Sequence, residues 1–230
     1  MNHLAVIMDG NGRWGKKNFG DRLAGHKKGA EKVAEITEEC AIRGYKCLTL
    51  YAFSTENFSR SSKEVDGIFK LMSNCLEDKR LLDLIDKYSL RFRVAGDYSM
   101  LSKPFLALTS RIARKCENNR GMELVVCIAY GGTDEITQAV NSILEDRLVY
   151  HDSTPVTYDE IKDKLYTANL PDPDAVVRYG GEKRLSNFLP LQSVYSELIF
   201  LDKLWPEFER SDLDKIEDIF SQRIRRFGKE

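Results

Sequence analysis

The sequence predicts an α/β fold: a single domain, residues 1–230, with a mainly parallel central sheet flanked by helices. Short apolar runs alternate with longer segments of helical periodicity. No internal repeat or low-complexity segment interrupts that alternation, and the proline-bearing stretch from Asn169 to Asp174 is a loop, not a linker. A length of 230 residues suits one core of ordinary size.

In chain order, His3–Met8 predicts a strand and Gly29–Arg43 a helix, with Val33, Ile36, Cys40 and Ala41 at helical spacing. Cys47–Phe53 predicts the second strand. Glu64–Lys87 predicts one long helix with Val65, Ile68, Phe69, Met72, Cys75 and Leu76 on its apolar face. Leu90–Ala95 reads as a strand, Met100–Glu117 as a helix, Met122–Ala129 as a strand and Thr133–Leu148 as a helix. A short helix follows near Tyr158–Tyr166, then strands at Ala175–Arg178 and Leu198–Leu201. The last helix places Leu213, Ile216, Phe220 and Ile224 on one side.

Hydrophobic residues are 42% of the chain and charged residues 31%, the balance of a soluble globular protein. A net charge of −1 offers no global field for nucleic acid. Five cysteines without a CxxC pair read as reduced core residues of a cytoplasmic protein, and three scattered histidines suggest no metal cluster. No signal peptide and no membrane-spanning run is expected; peripheral contact with a membrane stays compatible with the sequence.

Three polar clusters fall at strand ends, where ligands sit in parallel sheets. The first is MDGNGRWGKK (8–17). Its Gly10-x-Gly12-x-x-Gly15 matches a dinucleotide fingerprint, but the helical pattern begins only after Gly25, so Arg13 to Arg22 reads as a long loop or polar turn. Gly20 to Lys27 has the spacing of a P-loop with His26 where the lysine belongs. What the loop does hold is diphosphate chemistry: glycines that admit backbone N–H groups, forked donors on Arg13 and Arg22, and a carboxylate, Asp9, able to hold Mg²⁺. The second cluster, AFSTENFSR (52–60), crowds Ser54, Asn57 and Arg60 at a strand end; Ser61-x-x-Glu64 beyond it predicts a capping box. The third, VVRYGGEKRLSNF (176–188), sets Arg178, Lys183, Arg184 and Ser186 around two glycines.

MDGNGRW, Gly25-His26, FSTENFSR, RYGGEKRLSNFLPLQ, YSELIF and LWPEF, in this order, resemble the cis-prenyltransferase family, most closely the bacterial undecaprenyl diphosphate synthases. The motifs run from residue 4 to about 208. The resemblance implies a parallel-sheet fold of the family's own, not a Rossmann fold, and a homodimer. It also implies condensation of an allylic diphosphate with isopentenyl diphosphate. Asp9 is then the magnesium-linked carboxylate. Gly10, Asn11, Gly12, Arg13, Arg22 and Arg60, with His26 beside them, hold the allylic diphosphate. Trp14 and Phe53 contact its chain, and Ser54 and Asn57 lie near the reacting carbons. Arg178, Arg184 and Ser186 bind isopentenyl diphosphate. Glu197 helps coordinate Mg²⁺ across a dimer interface. Tyr179 stands where the family usually has Thr, and Phe58 and Leu191 where it has Trp. None of the three removes a phosphate-binding group. A growing chain needs a dry channel, for which Val65–Leu76, Leu50, Ala52 and Val126 are candidates, with Ala52 facing the chain.

Overall fold

The computed structural model describes residues 1–222. Its strands are β1 (His3–Ile7), β2 (Cys47–Ser54), β3 (Arg91–Ala95), β4 (Glu123–Tyr130), β5 (Ala175–Arg178) and β6 (Glu197–Phe200). They form one sheet in the order β3-β4-β2-β1-β5-β6, every pairing parallel. The helices are α1 (Asn11–Phe19), α2 (Arg22–Ile42), α3 (Ser62–Glu77), α4 (Lys79–Lys87), α5 (Lys103–Lys115), α6 (Gly132–Tyr150), α7 (Tyr158–Lys164) and α8 (Ser211–Ser221). β4 lies between β3 and β2, which is not the dinucleotide-binding strand order 3-2-1-4-5-6.

All five residues of β1 are buried, as expected for a strand covered on both faces. Alternation divides them. Leu4 and Val6 join a large core with Ile36 of α2, Ile68 of α3, Ile85 of α4 and Leu213 of α8. Ala5 and Ile7 face a smaller cluster built with Val125, Phe188 and Leu189. The chain leaves β1 for β2 on one side and reaches β5 on the other. The carboxyl ends of β1 and β5 therefore flank a switch point, where a crevice opens.

The strands follow the sequence closely and three helices depart from it. The stretch from Arg13 to Arg22 is no loop: α1 begins at Asn11, inside the glycine motif, with Gly10 at φ 101° as its N-cap. α2 begins seven residues ahead of Gly29, at Arg22, because Asp21 caps it by accepting from Leu23 and Ala24 N–H groups. Its first two turns carry no apolar stripe, so periodicity alone misses them. The glycines serve this crossing: a Cβ on Gly15 would lie 2.5 Å from Gly25 N, and one on Gly25 would lie 1.9 Å from Asn11 O. The long helix breaks at Asp78, which ends α3 and caps α4 through Arg80 N–H. In α8, Leu213 and Ile216 are buried as expected, while Ile224 lies outside the described residues.

Candidate active site

Asp9 follows β1 by two residues and Arg178 ends β5, so the two neighbouring strands deliver a carboxylate and a guanidinium to one point. Arg178, 6% exposed at the side chain, donates to Asp9 Oδ2 at 2.9 Å and to Ser186 Oγ at 2.7 Å. Arg13 approaches Asp9 Oδ1 at 3.4 Å and donates to the Gly180 carbonyl at 2.8 Å. Behind them, Trp205 N–H donates to the Asp9 carbonyl and its indole N–H to the Gly29 carbonyl, both at 2.9 Å. The Asp9 loop is thus held from the sheet, from α2 and from the turn before α8.

Arg22 and His26 lie one helical turn apart on α2 and point to the same side. Arg60 comes from the turn after β2. The Ser61 hydroxyl accepts from Glu64 N–H as expected of a cap, but the Glu64 carboxylate does not close the box. It goes to Arg60 at 3.3 Å and Arg22 at 3.6 Å. Burial first, then the Arg60 cation, push the His26 imidazole down to about 4; Glu64 pulls it up and Arg22 pushes it down more weakly. His26 is therefore neutral near pH 7. Its Nε2, Asn11 Oδ1 and Arg178 Nε are buried without hydrogen-bond partners. Buried polar atoms normally have partners, and all three residues border one cleft.

The cleft has a volume of about 690 Å³. Asp9, Gly10, Asn11, Gly12, Arg13, Arg22 and His26 line it from the first cluster, and Phe53, Ser54, Asn57 and Arg60 from the second. Arg178, Arg184 and Ser186 line it from the third. Three clusters converge, the third of them more than a hundred residues beyond the other two. The first turn of α1, whose N-cap supplies no side-chain acceptor, adds free N–H groups at a positive dipole end, a ready anion site.

Two expected residues are not among the lining. Trp14 packs against Phe19, ring centroids 5.6 Å apart. Glu197 begins β6, at the amino edge of the sheet, whereas Asp9 follows the carboxyl end of β1. Three polar lining residues carried no assignment from sequence, Tyr51, Glu56 and Asn187. Asn187 sits at φ 63°, a region Asn tolerates better than most residues, which was its one local signal.

An apolar channel of about 90 Å³ continues from the cleft. Ile68, Leu71, Met72, Cys75 and Leu76 of α3 wall it with Leu50 and Val126 of the sheet, whereas Val65 and Phe69 stay outside. Ala52 borders both spaces. In the pairing of β2 with β4, Tyr51 faces Cys127 and Phe53 faces Ile128, so Ala52 is a bulged residue; one step on, Ser54 faces Tyr130, so Ala129, at φ 52°, is skipped on β4. Bulges re-aim side chains at strand ends, and this one sits at the junction.

The cleft, strand order and motifs fit a prenyltransferase, and comparison with known proteins shows that class. Residues 7–228 match the model of the undecaprenyl diphosphate synthase family of prenyltransferases. The chain is 41% identical over 228 residues to an isoprenyl transferase of Helicobacter pylori, covering 99% of this chain and 97% of that one. It is 42% identical over 231 residues to an isoprenyl transferase of Streptococcus agalactiae, covering 98% and 92%. Among solved structures, lavandulyl diphosphate synthase from Lavandula x intermedia, in complex with dimethylallyl diphosphate, superposes with a TM-score of 0.94 at 30% identity, covering 99% and 98%. A probable undecaprenyl diphosphate synthase from Campylobacter jejuni superposes at 0.81 with 31% identity, covering 100% and 99%. The protein belongs to this prenyltransferase family and is an enzyme of isoprenoid chain synthesis.

Proposed function

We propose that the protein condenses an allylic diphosphate, farnesyl diphosphate, with successive isopentenyl diphosphates. The product is a long cis-polyprenyl diphosphate of undecaprenyl length, the lipid carrier for cell-wall glycan. The observation that carries the reading is one cleft lined by Asp9, Arg13, Arg22 and Arg60 together with Arg178, Arg184 and Ser186, leading at Ala52 into an apolar channel.

The allylic C–O bond breaks as the new C–C bond forms, and a proton leaves the isopentenyl unit. Arg13, Arg22 and Arg60 meet the negative charge that grows on the departing diphosphate, an interaction stronger in the transition state than before it. Neutral His26, with its proton on Nε2, and the Asn11 backbone N–H at the start of α1 donate to the same group. Arg178, Arg184 and Ser186 hold the second diphosphate and so align its double bond. Ser54 and Asn57 flank the reacting carbons and assist proton removal; Asn57 Oδ1 accepts from Ser54 N–H at 3.2 Å, which keeps this turn closed.

Asp9 fits magnesium. Its side chain is 30% exposed beside an anion cradle, and magnesium takes one or two carboxylates, substrate phosphates and water. Asp9 would hold the ion, with Glu197 of a second copy completing the site, and the bound ion would neutralise charge on the leaving group. This role for Glu197 requires a homodimer, and the edge strand β6 with Val194, Tyr195 and Leu198 exposed around it supports one. Among the described residues no helix is long and apolar enough to cross a membrane. We place the enzyme in the cytoplasm, working at the inner face of the membrane, where its product is used.

Purified protein given farnesyl diphosphate, excess isopentenyl diphosphate and Mg²⁺ should yield polyprenyl diphosphate of undecaprenyl mass, and chelation should stop it. Absence of any condensation product would overturn the reading.

A further inference from the structure

Asn187 has no part in the chemistry above, yet it joins two of the loops that build the cleft to each other and to the start of α6. It and Ser186 are consecutive non-glycine residues in the left-handed region, at φ 63° and 50°. Such a backbone is strained for residues that carry a Cβ and persists only where its surroundings over-determine it. The surroundings here are specific. Asn187 Oδ1 accepts from Thr133 N–H at 2.9 Å, at the start of α6. That partner can only donate, so the other end of the amide is its NH₂. It donates to Glu56 Oε1 and to Thr133 Oγ1, both at 3.1 Å. The Asn187 carbonyl accepts from Gly132 N–H at 2.8 Å. One residue along, Ser186 holds Arg178.

We propose that Asn187 is a positioning residue that couples the two diphosphate pockets, through its hydrogen bond to Glu56. Glu56 belongs to the turn that carries Asn57 and Arg60; Asn187 belongs to the loop that carries Arg184 and Ser186. Burial raises the Glu56 carboxyl, but hydrogen bonds from its own backbone, Asn187, Ser54 and Thr55 outweigh it and hold the group below its ordinary range. The bond is therefore charge-assisted. An anion that orders one loop then pre-orders the other, and the coupling is reciprocal. This inference rests on the two-substrate reading.

The test is a double-mutant cycle on the purified enzyme, reading kcat and the KM for each diphosphate. Asn187→Asp keeps an acceptor for Thr133 N–H, at a helix start that favours an anion, but sets a carboxylate against Glu56. The KM for isopentenyl diphosphate should rise about tenfold, with kcat changed less. Adding Glu56→Gln reinstates the bond with donor and acceptor exchanged, so KM should return to within about threefold of the Glu56→Gln single variant. Asn187→Gly keeps the left-handed backbone and removes the bond, and gives the same KM readout should the Asp variant fail to fold. Additive effects in the cycle, or an unchanged KM in folded variants, would overturn the proposal. An inactive wild-type enzyme would instead overturn the prenyl-transfer reading itself.

Discussion

The cleft and the channel behind it share a border at Ala52 and are opposite in kind. The cleft is wide, about 690 Å³, and is lined by five arginines. The channel is narrow, about 90 Å³, and almost wholly apolar. Charged walls stay apart because the cations repel and remain hydrated; apolar walls close up because contact is favourable. A diphosphate can enter a preformed site, whereas a hydrocarbon tail has to open its own. Rate should therefore follow the polar region and product length the apolar one.

The sharpest break of that contrast is Asp9→Asn. Turnover should fall at least a hundredfold, about 3 kcal/mol, measured in single turnovers with saturating substrates. A variant within a fewfold of wild type would mean that the carboxylate is not used.

Next is the pH dependence carried by His26. Its folded pKa, about 4, is below the ordinary 6.5, so protons favour the unfolded chain. The stability is present above pH 6.5 and is lost as pH falls toward 4. At pH 5 the loss is about 2 kcal/mol, visible as a lower urea midpoint, and His26→Gln should flatten it. A diphosphate analogue that binds beside the imidazole should shift the profile.

Arg178→Lys keeps the charge but loses the fork that reaches Asp9 and Ser186 together. Isopentenyl diphosphate KM should rise about tenfold, read in steady-state assays. Ala52→Leu fills the junction and should shorten the product while the first condensation keeps its rate within about threefold, since the arginines are untouched. An unchanged chain-length profile by mass would remove Ala52 from the channel wall. The smallest effect belongs to Glu64→Gln. It frees Arg22 and Arg60 from a partly exposed partner and should tighten allylic diphosphate binding by a fewfold, most at low salt.

The amino-acid sequence by itself determined the strands, the alternation that makes them parallel, and the chemical identity of every group in the cleft. Strand residues are chosen by burial on both faces, and that constraint is local enough to read. α1 and the start of α2 were not legible, because their stability comes from glycine-mediated crossing and the Asp21 cap instead of an apolar stripe. Only the tertiary structure decided that Arg178 meets Asp9 across 169 residues, that Trp14 turns to Phe19, and that Glu197 begins at the far edge of the sheet. It also decided that Asn187 bridges two loops. Strand order sets all of these relations. It follows from the side on which each crossover packs, a choice made by whole surfaces and not by any short stretch of chain.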